Sequence, residues 1–371
     1  YNIFTQQIEL DGVPCQGSTS IDRYYLTLAR LGYKCNKDTA FDCVVQVARE
    51  NEYNPVVDYL EKVYTTELPA YIDRLASTYL RPEEKDLPNP TIYDDMLKKT
   101  LIAAVARAYK PEGHKFDNAC VLLGEQGARK SSFWYTLGQE FFSDGLRDIN
   151  GKDALMILHR SWICELAELE SITSKKMAGD IKSFLSQKTD VFRVPYGKVT
   201  EEFPRRGIIV GSTNRHDGFL VDETGNRRFW IIKLGENVTI ENPIDIESLE
   251  KERDQIWAAA VMAYKNGEST YLTKENELIV NEENLDYLIE SPWKSVIEQF
   301  LDNPSNRHRE LTTESVLTEA IEKPIERQTR YDQMQVATIL KNLGYEKKRR
   351  GTKNCRKWVY IRDSDRVLTS V

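Results

Sequence analysis

The sequence predicts an α/β P-loop NTPase core, preceded by a mostly helical N-terminal region and followed by a winged-helix-like module. Three observations predict it. In VLLGEQGARKSSF an apolar run enters a glycine turn that closes on Lys130 and Ser131, after which the pattern becomes helical. NACVLLG, SWICELAE, RGIIVGSTN and NRRFWIIKL are short apolar runs of the kind a parallel sheet buries on both faces, and helical patterns separate the first three. The last segment, LTTESVLTEAIEKP, YDQMQVATILKNLGY, a basic turn and KWVYIR, reads helix, helix, hairpin.

A chain of 371 residues exceeds one ordinary core and predicts several domains, with boundaries at 1–90, 91–270 and 271–371. From 20 to 79 the pattern is mostly helical, broken at Asn54–Pro55, where proline enforces a boundary. RPEEKDLPNP reads as a linker. Beyond it, IYDDMLKKTLIAAVARAY carries an apolar stripe at helical spacing and leads into the α/β alternation. A further helix is expected from Ile246 to Tyr264, and the composition then turns acidic and polar through Asn284.

Net charge is −7 with a pI near 5.5, which excludes a protein that coats nucleic acid over its whole surface but allows a confined basic path. Basic residues do gather, at 188–206 and 347–357. No run is long enough to span a membrane and no signal segment opens the chain, so a cytoplasmic protein is expected. The six cysteines are scattered, without metal-ligand spacing, and read as reduced thiols. The start at Tyr1 points to a piece of something longer.

The loop Gly124, Glu125, Gln126, Gly127, Ala128, Arg129, Lys130, Ser131 and Ser132 is expected to hold ATP. Glycines turn backbone amides toward phosphate, Lys130 offers a point charge to the β- and γ-phosphates, and the Ser131 hydroxyl reaches Mg²⁺. Arg129 stands where the motif normally has its second glycine, and a positive φ there would cost roughly 1–2 kcal/mol. SWICELAELE supplies an apolar strand ending in carboxylates, as Mg²⁺ binding and water activation require. Alternation favours Glu168 as the catalytic carboxylate with Glu165 as its metal-side partner, an assignment that spacing leaves open. Asn214 ends GIIVGSTN, where an amide can orient water or sense the γ-phosphate. Of Arg227 and Arg228 in TGNRRFW, one is expected to act as a finger on a neighbour's site, and spacing does not say which.

VFRV and KVTEEF alternate around PYGK and predict a β-hairpin whose tip carries Tyr196 and Lys198. A ring and a lysine at a tip suit single-stranded nucleic acid as well as they suit an ordinary exposed hairpin. The basic turn EKKRRGTKNCRKW is read as a solvated charge run in preference to a wing touching phosphates.

Taken in order, LLGEQGARKSSF, WICELAELE, the FRVPYGK hairpin, IIVGSTN and TGNRRFW resemble the virulence-associated protein E family of phage and mobile-element replication proteins, which is related to the superfamily 3 helicases and AAA+ ATPases. The resemblance spans roughly residues 51–270. It implies an ATP-driven DNA helicase that translocates on single-stranded DNA as a homo-oligomeric ring, a hexamer, often joined to an upstream primase or primase-polymerase domain. Carried onto this chain, it implies Lys130 and Ser131 at phosphate and Mg²⁺, Glu165 and Glu168 in the acidic motif, Asn214 as sensor, Arg227 or Arg228 as finger, and Tyr196 and Lys198 on the DNA-facing hairpin. If phage-encoded, the protein works in the host cytoplasm. Arg129, and Asn54 where the family more often has histidine, depart from the pattern. The competing expectation is a nucleotide-controlled DNA-binding or assembly factor, an origin binder or loader, that unwinds nothing.

Overall fold

Buried apolar runs place the sheet at the centre of the fold. In this computed structural model the described residues are all but 16–19, 83–90, 147–148, 150, 167–174, 193–199, 216–219, 221–225, 285, 288–291, 308, 351–356 and 363–371. The chain divides into two compact units, Tyr1–Ile289 and Glu290–Val371.

The first unit opens with a two-residue hairpin, β1 (Glu9–Leu10) and β2 (Val13–Pro14), which the helical reading of this region missed. Helices α1 (Tyr24–Arg30), α2 (Lys37–Glu50), α3 (Pro55–Thr66) and α4 (Leu75–Tyr79) follow. Proline fixes the start of α3: Pro55 occupies its first turn, and the Asn54 side chain accepts hydrogen bonds from the amides of Val56 at 3.1 Å and Val57 at 3.4 Å. Helix α5 (Ile92–Tyr109) is capped by Thr91 and is buried on nearly every side, as a helix inside a core must be.

The sheet follows, comprising β3 (Ala119–Leu123), β4 (Phe142–Leu146), β5 (Ile163–Leu166), β8 (Ile208–Thr213) and β9 (Phe229–Lys233). Its order is β4-β5-β8-β3-β9, with every pairing parallel. Period-two alternation divides β3 between two cores. Cys120 and Leu122 join α3, α4, α5, α6 (Lys130–Gly138) and α9 (Ile246–Lys265) on one side. Val121 and Leu123 join α7 (Lys152–His159) and α8 (Lys175–Ser186) on the other. Such a parallel α/β core fits a P-loop-like fold. Three of the four sequence-read strands are its inner strands, β3, β5 and β8, and β9 forms one edge. The strand not read from the sequence, β4, forms the other edge: FSDGL is half-solvated, pairs with one neighbour only and carries a register shift.

Two features seat β8 against β5. A Cβ on Gly207 would fall 2.1 Å from the Ser161 carbonyl oxygen, so only glycine permits the approach that lets Ile208 N–H donate to Trp162 O at 2.7 Å. Arg107, buried on α5, donates to the carbonyls of Gly207 and Phe116, both at 2.7 Å, and so ties the entry of β8 to the entry of β3. The predicted hairpin is formed by β6 (Thr189–Phe192) and β7 (Glu201–Pro204), antiparallel from Thr189↔Pro204 to Phe192↔Glu201. Its tip, with Tyr196 and Lys198, lies outside the described residues.

The last helix of the first unit is α10 (Lys274–Glu283). The second unit contains α11 (Trp293–Asp302), α12 (Pro304–Arg307), α13 (Thr313–Glu319) and α14 (Arg330–Asn342), then an antiparallel hairpin of β10 (Tyr345–Arg350) and β11 (Lys357–Arg362). Leu311 bridges to Tyr360 on the hairpin, and Ile297, Val316, Leu317, Val336, Leu340, Tyr345 and Tyr360 form a core of their own. Among the described residues no helix is long and apolar enough to cross a membrane.

Candidate functional site

The C-terminal ends of the inner strands converge on one loop. Leaving β3, the chain turns through Gly124–Arg129 into α6, with Gly124 N–H held by Thr213 O of β8 at 3.2 Å. Gly127 has φ +86°, and a Cβ there would sit 2.9 Å from Ile240 Cδ1. Two steps later Arg129 adopts a left-handed conformation, φ 64° and ψ 34°, immediately before the first residue of α6. The loop therefore does demand positive φ at the position where Arg129 replaces glycine, a strain of roughly 1–2 kcal/mol for a side chain with a Cβ.

Lys130 follows directly. Its side chain is buried and its ammonium donates to Gly124 O at 2.9 Å, Glu125 O at 2.7 Å and Asn214 Oδ1 at 2.6 Å. The lysine thus spans the loop that it belongs to and reaches the residue that ends β8. By helical geometry the first-turn amides of α6 have no intrahelical acceptor, so the loop, the dipole of α6 and a buried ammonium lie together, a combination suited to an anion.

Ser131 Oγ donates to Glu165 Oε1 at 2.9 Å, and Ser212 Oγ donates to the same oxygen. Glu165 is 3 % exposed on β5, so burial pushes its carboxyl above the usual glutamate range. The two serine hydrogen bonds and the charge of Lys130 pull it down again, while the Asp144 carboxylate on β4 raises it further. Both serines use Oε1; among the described residues no hydrogen bond goes to Oε2. The two serines thus fix one carboxylate oxygen.

Of the residues singled out in the sequence, Lys130, Ser131, Glu165 and Asn214 come together at this end of the sheet. Glu168 lies outside the described residues. Arg227 and Arg228 form a short 3-10 turn, Asn226–Arg228, that enters β9, and the parallel register Ala119↔Phe229 sets them at the start of β3 rather than at its end. About six residues of strand rise separate that level from Gly124, roughly 20 Å. The pair differs in setting. Arg228 is half-buried, and its Nε donates to Ser186 Oγ at 2.9 Å. Arg227 is exposed, and its carbonyl accepts from Asn118 Nδ2 at 2.8 Å. Sequence reasoning missed Ser212 and Asp144: a serine inside an apolar strand and an aspartate on a polar edge strand give no signal until the register sets them beside Glu165.

Comparison with known proteins bears on more than half of the chain. A family model, the virulence-associated protein E-like domain, matches residues 64–289. The chain is also similar to two solved structures of the NrS-1 C-terminal region, both in an apo A form. To one it is 14 % identical, covering 80 % of this chain and 79 % of that one, at a TM-score of 0.39. To the other, delimited as 305–718, it is 14 % identical, covering 79 % of this chain and 78 % of that one, at a TM-score of 0.40. No curated protein matches the chain.

Proposed function

The chain belongs to the virulence-associated protein E-like domain family, and from that premise we propose that it is an ATP-dependent DNA helicase of phage or mobile-element replication, moving along single-stranded DNA as a hexameric ring. One observation carries the reading. A strained loop with a buried lysine, a serine-braced glutamate and a strand-end asparagine meet at the C-terminal ends of three adjacent parallel strands.

In this account the loop amides and Lys130 hold the ATP phosphates. Among the described residues no three carboxylate, histidine or cysteine groups gather as an all-protein metal cage. That suits Mg²⁺, which keeps several waters and needs only one or two protein oxygens beside the substrate phosphates. Ser131 and Oε2 of Glu165 would hold it, and when bound it neutralises charge on the phosphates. Glu168 then accepts the proton of the attacking water, and Asn214, already bonded to Lys130, orients that water.

The arginine pair stands too far from its own loop to serve it, which favours delivery to a neighbouring subunit's ATP. Arg227, exposed, is the better finger; Arg228 is engaged with Ser186. Tyr196 and Lys198 would grip the single strand at the hairpin tip, and the second unit, with helices before a hairpin and a bridging residue at Leu311, would be a winged-helix module. An upstream primase or primase-polymerase domain would complete the replication protein.

The test is the ATPase rate with and without single-stranded DNA. The helicase reading expects stimulation. Nucleotide-dependent DNA binding with no hydrolysis would instead favour an assembly factor.

A further inference from the structure

The hairpin of the second unit has two unlike faces. Antiparallel pairing sets Arg349 opposite Trp358 and Lys347 opposite Tyr360, so alternation gives Lys347, Arg349 and Trp358 one face and Glu346, Lys348 and Arg350 the other. On the second face Lys348 and Arg350 are each paired with an acid. Lys348 Nζ pairs with Glu346 at 2.8 Å, and an Arg350 guanidinium nitrogen pairs with Glu310 at 3.2 Å. On the first face, Lys347 and Arg349 have no carboxylate partner among the described residues, and both lie against an aromatic ring instead. Lys347 Nζ is 4.8 Å and Arg349 Cζ 5.8 Å from the centroid of Trp358.

Trp358 is 53 % exposed, whereas Tyr345 and Tyr360 nearer the base are 3 % and 2 % exposed and enter the core. The indole therefore lies beyond what the fold of the unit requires. A solvated charge run, which is how the sequence alone reads, would give cations on both faces the same treatment. Among the described residues the acids pair on one face, and the other has Lys347 and Arg349 beside a large exposed ring, in a chain whose net charge is −7.

We propose that this face, Lys347, Arg349 and Trp358, is a binding site for single-stranded nucleic acid, with the cations on consecutive phosphates and the indole against an unpaired base. Charge alone would suit any polyanion. The ring between the charges selects a polymer that alternates phosphate with a flat, unpaired base, because an aromatic face can stack only on a base whose own face is open. The two cations need only turn from the ring to the phosphates. The site belongs to the second unit, the loop at Lys130 and the β6–β7 hairpin belong to the first, and the proposal stands whether or not the chain hydrolyses ATP.

The experiment is equilibrium binding of a fluorescent oligo-dT strand to the intact chain, without nucleotide, over a range of salt. Trp358→Ala should weaken binding about tenfold, and Trp358→Phe, which keeps a ring, should recover most of the loss. Lys347→Ala and Arg349→Ala should each lower the slope of log affinity against log salt by about 0.7, one single-strand phosphate contact. Lys348→Ala and Arg350→Ala, which remove the acid-paired cations of the other face, should change affinity less than twofold and leave the slope in place. Thermal unfolding of every variant separates lost contact from lost fold. The proposal is overturned if Trp358→Ala binds the strand as tightly as the native chain. Equal losses from cations of both faces would overturn it too, since that marks undirected charge, and so would a duplex bound as tightly as the strand with the same dependence on Trp358.

Discussion

Ser131, on the first turn of α6, donates to Glu165 Oε1 on β5 across 2.9 Å, and this bond joins the helix after the Gly124–Arg129 loop to β5. Ser212 on β8 binds the same oxygen. Three elements thus fix one carboxylate, and among the described residues no hydrogen bond goes to its other oxygen. In the proposed ATPase this braced glutamate would hold Mg²⁺, and Glu168 would accept the proton.

The two glutamates should accordingly separate in their effects. Glu165→Gln should weaken Mg²⁺-dependent ATP binding, because it removes the charge and gives the two serines a neutral partner. Glu168→Gln should bind ATP normally and hydrolyse it at least a hundredfold more slowly, in line with the loss of a general base. Binding titrations beside single-turnover rates distinguish these outcomes, and the opposite pattern would exchange the two roles.

Arg129→Gly tests the strained loop. Glycine adopts φ near 64° without steric cost, so the substitution should raise stability by up to about 1–2 kcal/mol and bind ATP at least as tightly as the native chain. A stabilised protein with markedly weaker ATP binding would instead assign the Arg129 guanidinium a phosphate contact, making the strain functional.

The proposed hydrolysis across a subunit boundary is suggested by the roughly 20 Å of strand between Arg227 and its own loop. Arg227→Ala should bind ATP and fail to hydrolyse it, and Lys130→Ala should fail at its own phosphates. Mixing the two should restore part of the activity, since some interfaces then combine an intact loop with an intact finger. If sizing confirms mixed rings and no activity returns, the shared site is wrong.

The base of the β6–β7 hairpin offers a pH test. Asp190 accepts from Arg205 Nε at 2.7 Å and from a second guanidinium nitrogen at 2.8 Å, and it lies 2.8 Å from His159 Nε2, which donates to it. Burial alone would raise its carboxyl, but the hydrogen bonds from Arg205 and His159 prevail and bring it down to about 2. The folded value is below the unfolded value of about 3.9, so the stabilisation is complete above that unfolded value and is lost as pH falls through about 2. Its size is about 2–3 kcal/mol. Asp190→Asn should therefore be clearly less stable than the native chain at pH 7, with the gap closing between pH 4 and pH 2. Unfolding midpoints that keep the same gap throughout this window would rule out the charge as its source.

Much of this was legible in the sequence, and the exceptions share a cause. Continuous apolar runs revealed β3, β5, β8 and β9, the Asn54–Pro55 break marked the boundary at α3, and alternation located both arms of the β6–β7 hairpin. Strand β4 was invisible because an edge strand need bury only part of its surface, and FSDGL does no more. Lys130 and Ser131 were legible because their spacing is local. The bracing by Ser212, the field of Asp144, the distance from Arg227 to the loop and the two faces of the last hairpin all depend on strand order or register. Such relations arise only when separate segments meet, and no local pattern encodes them.

The central claim is that ATP hydrolysis at Lys130, Ser131 and Glu165 drives the chain along a single strand. ATP-dependent unwinding of a forked duplex tests it most directly, with Lys130→Ala and Lys198→Ala alongside. The account predicts strand separation that requires ATP, vanishes in Lys130→Ala, and falls much further than the DNA-independent ATPase rate in Lys198→Ala. A fork left intact by a protein that hydrolyses ATP at one rate with or without single-stranded DNA would contradict it.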